Sequence, residues 1–341
     1  MRIITVLILY VVVAVSCSHI NRTDAFESLY ASDSINLELS DPGAIYIHGD
    51  YLFLIDRKAI SDYIQVYDIR KKEFLFSFAP MGQGPGEYVS LASMSFYEQE
   101  GTELVDLYDF NHKVCTYLLD DIMEKRESVI PFKEKFVNDT GLTILNLYKT
   151  RNGYISTGMF PEGRFGLLSD TMMSLGFTGS YRKKPNESIS DEVHFMASYG
   201  LQYLSDDKQY LADCVTTASV LTLYELRGQD VIKKWEYLIE ELDYEIEADI
   251  VPVRKSSRGY VSVSFSSEYV YAIYSGESPE IPDAYGNEIH VFDLDNGELV
   301  KKLILDRKSS HIVVDEHNGK MYIETDYPEP VVLIYDLPLF I

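Results

Sequence analysis

The sequence has little cysteine, tryptophan or positive charge. Its 341 residues include 3 cysteines and a single tryptophan. Lys and Arg number 30 against 54 Asp and Glu, so the formal net charge is −24, and no segment is rich in Lys or Arg. Because such a surface repels phosphate backbones and anionic headgroups, we expect neither nucleic acid nor an anionic membrane surface to be a partner.

The few cysteines also restrict covalent and metal chemistry. Cys115 and Cys214 lie in apolar runs typical of strands, so we expect buried free thiols rather than a disulfide. Two isolated cysteines cannot form the paired motif of a zinc site. The signatures G-x-S-x-G and H-E-x-x-H and an EF-hand-like calcium loop are absent as well. The sequence therefore predicts no catalytic residue and no cofactor.

What is present favours a folded β protein. Hydrophobic residues make up 46% of the chain and charged residues 25%, which is typical of a folded domain. The 27 tyrosines and 16 phenylalanines favour strands. The length is sufficient for one large domain or two ordinary ones.

The N-terminus reads as a targeting segment. "MRIITVLILYVVVAVSC" has one basic residue and an apolar stretch, residues 3–15, that is short for a transmembrane helix. Small residues precede Cys17, and this pattern resembles a bacterial lipobox, in which cleavage leaves Cys17 as a lipidated N-terminus. An ordinary secretory signal that contains a cysteine is the alternative. We predict a lipoprotein signal peptide over residues 1–16 and a tether over residues 17–32.

One strand–turn–strand pattern recurs along the rest of the chain. An apolar strand ends in an aromatic residue and often an acid, and a turn and another strand follow. The copies begin at Tyr63, Lys113, Arg164, Ser219, Glu288 and Val331. Two further strand candidates with period-2 alternation precede the copies. Six units of four strands, about 40 to 70 residues apart, predict an all-β fold: a six-bladed β-propeller with four-stranded antiparallel blades over residues 33–341.

The predicted ring can be closed by the N-terminal strand. The last unit has only three strands before Ile341, whereas Ser34–Ser40 is a strand with no unit of its own. Pairing the two would complete the last blade and remove an exposed sheet edge. We therefore predict closure of the ring by this N-terminal strand.

The connecting loops differ in length between the two faces. Turns between first and second strands, and between third and fourth, are short and rich in Asn-Gly, which accepts positive φ. Loops between second and third strands, and links between blades, are longer; examples start at Ser275 and Glu245. We interpret residues 233–250 as an exposed segment between blades. The two longer classes share one face of a propeller, which is the predicted binding face.

The glycine-rich stretch "APMGQGPGEYVSL" is a link between blades rather than a nucleotide loop. A dinucleotide fingerprint opens a helix, but here Pro85 follows Gly84 directly and the next pattern, "LASMSFY", is a strand. The lysine of a phosphate-binding loop is absent too. The glycines are predicted to turn the chain from blade one to blade two.

This region resembles a known repeat. "YLFLIDRKAISDYIQVYDIRKKEFLFSFAPMGQGPGEY" resembles an NHL-type propeller repeat, and "LVDLYDFNHKVCTY" is similar. With the lipobox and six units, the chain resembles the TolB-like six-bladed propeller lipoproteins of Gram-negative bacteria. The likeness covers residues 45–120 and is architectural elsewhere. The resemblance implies a lipid-anchored protein of the cell envelope, on the outer membrane and facing the periplasm or the surface. "YVSLAS" departs from the NHL pattern, which usually has a proline there, so ligand specificity is not carried over.

A second resemblance implies an alternative activity. Propeller lactonases, which this architecture resembles, hold a divalent metal such as Ca²⁺ at the channel mouth with carboxylate and Asn ligands. The residues at the matching strand ends are Asp56, Asp109, Asn111 and Asp213. Acids at strand ends commonly serve turns instead. Both interpretations stay open at this point.

Three residues on the predicted binding face suit ligand contact. Arg57, Arg164 and Tyr285 are cationic or aromatic groups in an acidic chain, and an arginine could select a carboxylate or a sugar acid. Solvated loop residues are the alternative. We expect a monomeric, non-catalytic binding or scaffold module for an envelope protein or glycan partner. The alternative is a metal-dependent hydrolase or lactonase with its site at the channel mouth.

Overall fold

The described part of the chain consists mainly of strands. The computed structural model describes residues 26–38, 41–138, 142–160, 162–215, 217–247, 251–278, 280–281, 285–326 and 328–340. Over these ranges the chain forms 27 strands and two α-helices. In the same ranges, no helix combines the length and the apolar composition needed to cross a bilayer. The predicted signal peptide and Cys17 lie outside the described residues.

Two short strands, β1 (Phe26–Leu29) and β2 (Asp33–Asn36), precede four regular blades. Blade one contains β3 (Pro42–His48), β4 (Tyr51–Asp56), β5 (Asp62–Asp68) and β6 (Glu73–Pro80). Blade two contains β7 (Leu91–Gln99), β8 (Thr102–Asp109), β9 (Lys113–Leu118) and β10 (Lys133–Phe136). Blade three contains β11 (Thr143–Thr150), β12 (Gly153–Met159), β13 (Phe165–Leu168) and β14 (Ser174–Thr178). Blade four contains β15 (Gly200–Leu204), β16 (Tyr210–Val215), β17 (Ser219–Arg227) and β18 (Asp230–Glu240).

The N-terminal strands join the last two blades and complete blade six. After a separate hairpin of β19 (Tyr244–Glu247) and β20 (Val251–Arg254), blade five contains β21 (Tyr260–Phe265), β22 (Tyr269–Tyr274), β23 (Gly286–Asp293) and β24 (Leu299–Ser309). Blade six contains β25 (His311–Asp315), β26 (Lys320–Thr325) and β27 (Val331–Asp336). Its fourth strand is β2, antiparallel to β27. This confirms the predicted closure. Strand β1 adds a fifth, parallel strand to blade five, within the segment predicted as tether.

The core lies between neighbouring blades. Each middle strand is covered on both faces, so a strand such as β4 is buried almost throughout rather than alternately. Aromatic pairs cross these interfaces: Phe78 meets Tyr117 edge to face at 5.9 Å between ring centroids, and Phe165 meets Tyr224 at 5.1 Å. Cys115 and Cys214 are free and buried in the same layers, as predicted.

The fold departs from the sequence predictions in its connections. Helix α1 (Leu119–Lys125) lies in a third-to-fourth-strand connection that was expected to be short. Helix α2 (Asp191–Ala197) lies in the link between blades three and four, and the Ser190 side chain caps it by accepting the Val193 amide at 3.3 Å. The segment 233–250 is not simply an exposed link, because its first half belongs to β18.

The glycine-rich stretch links β6 to β7, as predicted. A side chain at Gly82, which has φ of 154°, would place its Cβ 1.9 Å from Oε2 of Glu87. The same oxygen accepts the Gly84 amide at 2.7 Å, and Glu134 accepts the Gly86 amide at 2.7 Å. Side-chain carboxylates of this chain therefore accept the hydrogen bonds of the Gly84 and Gly86 amides, and the glycines form a turn.

Candidate binding face and its two cavities

The longer connections share one face, which we call the long-loop face. Loops between second and third strands and links between blades meet there, whereas the first-to-second-strand turns lie at the tight-turn end. Helix α2 and the β19–β20 hairpin extend two of these links and pack against each other. The long-loop face comprises described residues of the segments 37–41, 57–61, 81–90, 110–112, 137–142, 160–164, 179–199, 216–218, 241–259, 275–285, 310 and 326–330.

A central channel of about 1580 Å³ runs between the inner strands. Tyrosine hydroxyls join inner strands of neighbouring blades: Tyr148 donates to the Gln202 carbonyl at 2.9 Å, and Tyr203 donates to the Val261 carbonyl at 2.8 Å. Serines on other inner strands do the same. Ser264 accepts the Val314 amide at 2.9 Å. These hydroxyl groups of the channel wall thus form hydrogen bonds between neighbouring blades.

The two ends of the channel differ in chemistry. At the tight-turn end the wall is mostly acidic, with Lys208 among the acids. Burial lowers the pKa of Lys208. The acids of this wall are Glu98, Glu103, Asp206, Asp207, Asp315 and Glu316. At the long-loop end the wall includes Arg57, Phe110 and Tyr285. The acidic wall therefore disfavours an anion at the tight-turn end.

Two predicted ligand residues lie at that long-loop end. Arg57 donates to the Pro42 carbonyl at 2.6 Å and pairs with Asp41 at 3.2 Å. The Tyr285 hydroxyl donates to Asp326. Both side chains line the channel, and both also hold neighbouring loops.

Arg164, the third predicted ligand residue, lies elsewhere. It is buried between blades three and four, where its Nε and Nη2 donate to the two carboxylate oxygens of Asp213 at 2.9 and 2.7 Å. Gln202 donates to Asp213 as well, at 2.7 Å. Burial disfavours the guanidinium charge, but Asp213 outweighs it and raises the pKa of Arg164.

The structure does not bring the four candidate metal ligands together. Asp56 accepts the Lys58 amide at 3.0 Å in blade one. In blade two, Asp109 accepts the amide of Val89 at 2.6 Å and, at 3.2 Å, those of Ser90 and Asn111. Asp213 belongs to the ion pair in blade four. In the ranges that the structure covers, no three His, Cys, Asp or Glu residues are grouped as metal ligands would be.

A second cavity, the blade 3–4 crevice, opens beside the channel. It holds about 270 Å³ and is lined by Leu145, Thr157, Gly158, Met159, Arg164, Phe195, Met196, Tyr199, Gly200, Gln202 and Arg254. Tyr199 and Gln202 line both cavities. Helix α2 and strand β20 supply part of its wall. The sequence indicated Arg164 as a candidate but not Arg254 or Gln202, because the residues that line this crevice come from segments far apart in sequence. The sequence signal for Arg254 was the short stretch "VRKSSR", in which three basic residues stand close together although it is not a long Lys/Arg-rich run.

Five four-stranded sheets and one five-stranded sheet around one channel define the described part of the chain as a six-bladed β-propeller. The model of the TolB-like 6-blade propeller-like family matches residues 24–317. The chain belongs to this family, which confirms the resemblance seen in the sequence. A comparison with curated protein sequences finds no match.

Solved structures agree on the fold. A "putative exported protein" from Bacteroides fragilis is 10% identical, with a TM-score of 0.56, over 92% of this chain and 100% of that one. The β-propeller domain of Cps50 (Swd1) from Myceliophteria thermophila is 10% identical, with a TM-score of 0.54, over 90% and 99%. Raptor from Chaetomium thermophilum is 11% identical, with a TM-score of 0.51, over 91% of this chain and 29% of that one. At 10–11% identity, the likeness to these structures shows a shared fold and nothing about function.

Proposed function

We propose that this chain is a cell-envelope lipoprotein, anchored through Cys17, that binds a protein partner on its long-loop face without catalysing a reaction. The observation that carries the proposal is an exposed apolar patch on blades one and two. We define the blade 1–2 patch as Ile60, Met81, Val89 and Phe110. Exposed apolar groups gathered in neighbouring loops mark interaction sites.

The loops that bear the patch are held in place. The Met81 amide donates to the Ser61 carbonyl at 2.8 Å, and the Phe110 amide donates to the Ser90 carbonyl at 3.1 Å. The Asp109 carboxylate fixes the Val89 amide at 2.6 Å. Ile60, which is 99% exposed, therefore projects from an ordered frame. A preorganised surface loses less conformational freedom on binding, which raises affinity.

Two observations support the envelope location. The family match agrees with the TolB-like resemblance, and a protein of the same fold is described as exported. The lipobox-like segment before Cys17 supplies the anchor. The absence of a three-ligand metal cluster in the described ranges gives the hydrolase alternative no support from geometry.

Photo-crosslinking in cells tests the proposal. A benzophenone amino acid at position 60 should yield a discrete protein adduct, whereas the same residue at position 339 should not. Leu339 is 86% exposed, and its segment lies at the tight-turn end, so it is a matched control. The double variant Ile60→Asp, Phe110→Asp should abolish co-purification of that partner, and Leu339→Asp should not. Equal adducts at both positions, or binding to glycans that ignores the double variant, would contradict a protein partner on this face.

A further inference from the structure

We propose that the blade 3–4 crevice binds a small carboxylate of monosaccharide size, a hexuronic acid, with Arg254 as the carboxylate contact and Gln202 and Thr157 as its polar contacts. The crevice is separate from the blade 1–2 patch, so the inference does not depend on a protein partner.

The charge in the crevice is the first argument. Arg164 is already neutralised by Asp213, whereas the side chain of Arg254 makes no ion pair or hydrogen bond with another described residue. Arg254 is only partly exposed. Burial and the nearby charge of Arg258 both lower its pKa, so an anion beside it would relieve both effects. In a chain of net charge −24, a half-buried arginine that pairs with no carboxylate of the described residues is a cation available to a ligand.

Two buried oxygens in the crevice wall provide the second argument. The Gln202 amide nitrogen donates to the Gly200 carbonyl at 3.0 Å and to Asp213 at 2.7 Å, which fixes the orientation of the amide. Its Oε1 and the hydroxyl of Thr157 have no partner among the described residues. Both residues are at most 5% exposed. Buried polar atoms are normally satisfied, so a ligand hydroxyl that donates to Gln202 is the expected complement.

The size and the apolar part of the wall give the third argument. A volume of about 270 Å³ admits one sugar-sized ring. Phe195 and Tyr199 offer aromatic surface for the C–H face of such a ring. Helix α2 is fixed above it, because the two ring nitrogens of His194 bond the Tyr244 hydroxyl at 3.0 Å and the Arg182 carbonyl at 2.7 Å. A ring with hydroxyls and one carboxylate matches all three features.

Isothermal titration of the purified full-length chain tests this proposal. Galacturonate and glucuronate are the probes, and the neutral hexoses galactose and glucose are their matched controls. We expect at least one uronate to bind at least tenfold more tightly than its neutral hexose. Failure of both uronates to bind at millimolar concentration, or equal binding of acid and neutral sugar, would overturn the proposal.

Three variants separate ligand contact from structure. Arg254→Gln should weaken uronate binding at least tenfold, whereas Arg151→Gln, the same change in a tight turn, should not. Thr157→Val removes a hydroxyl that no described residue uses, so it should weaken binding severalfold while leaving the melting temperature unchanged or higher. If the Thr157 hydroxyl had only a structural role, Thr157→Val would lower the melting temperature and leave uronate binding unchanged. Loss of binding in Arg151→Gln, or full binding in both Arg254→Gln and Thr157→Val, would refute the assignment.

Discussion

The ion pair between Arg164 and Asp213 should be among the most sensitive positions of the fold. Arg164→Met deletes two charge-assisted hydrogen bonds, of 2.9 and 2.7 Å, and leaves the buried Asp213 with the Gln202 amide. Each such bond contributes about 1.5–3 kcal/mol. Breaking a buried pair from one side costs about 3–5 kcal/mol, because a charge stays buried without its partner. We expect the free energy of unfolding to fall by about that amount.

The double variant Arg164→Met, Asp213→Leu should recover most of this loss. Replacing a buried ion pair by apolar groups of similar volume is often close to neutral, so the coupling energy should reach about 3 kcal/mol. Urea unfolding followed by tryptophan fluorescence gives both values. The only tryptophan, Trp235, is buried in the outer strand of blade four, and its Nε1 donates to the Leu294 carbonyl at 3.0 Å.

Arg227→Met is the matched control, on the blade that carries Asp213. Arg227 pairs with Glu225 at 2.8 Å, but its side chain is 64% exposed, so the substitution should change stability little. If Arg164→Met costs no more than Arg227→Met, or if the double variant is no more stable than the worse single variant, the reasoning about the buried pair is wrong.

Three other predictions concern acid stability, the glycine turn and the anchor. Hydrogen bonds from His290 and Lys302 lower the pKa of Glu288 from 4.5 to about 2, so roughly 3 kcal/mol of stability should be present above pH 4.5 and lost as the pH falls towards 2. Glu288→Gln should flatten the acid limb of an unfolding profile, and an unchanged limb would contradict this. Gly82→Ala should lower the melting temperature more than Gly49→Ala. Both glycines have positive φ, but of the two only Gly82 has a neighbouring atom within 4 Å of the methyl group that alanine would add. Equal losses would contradict this. Cys17→Ala should move the protein from the membrane fraction to the soluble fraction and abolish labelling with a fatty-acid analogue, and persistent labelling would exclude lipidation there.

The sequence predicted the blades because a propeller is built from local repeats. Period-2 strands and tight Asn-Gly turns are formed by residues close in the chain, so the six units and the glycine link could be read directly. Closure by β2 could also be inferred, because strands can be counted. Helix α2 could not, since seven residues with one capping serine give too little periodicity.

The candidate site was predicted only in part. Arg57 and Tyr285 lie on the long-loop face, which follows from loop length, and they also line the channel; their contact with a ligand stays a prediction. Asp109 stands at a strand end as the pattern indicated, but Asp213 lies inside β16, which continues to Val215. The partners that decide their roles are 20 and 49 residues away in sequence. Arg254 could not be matched to Gln202 and Thr157, because only the packing of α2 and β20 brings these segments to one crevice.

The parallel strand β1 determines from which end of the ring an anchor on the N-terminal segment would hold the protein. Phe26 pairs with Lys302 and Leu29 with Leu305, so the chain enters the outer edge of blade five from the tight-turn end. Nine residue steps separate Cys17 from Phe26, and a fully extended chain of that length reaches about 30 Å. A lipid on Cys17 would thus be joined by a short segment to the outer edge of blade five, at the end away from the long-loop face. With such an anchor, the opening flanked by the blade 1–2 patch and the blade 3–4 crevice would face away from the bilayer.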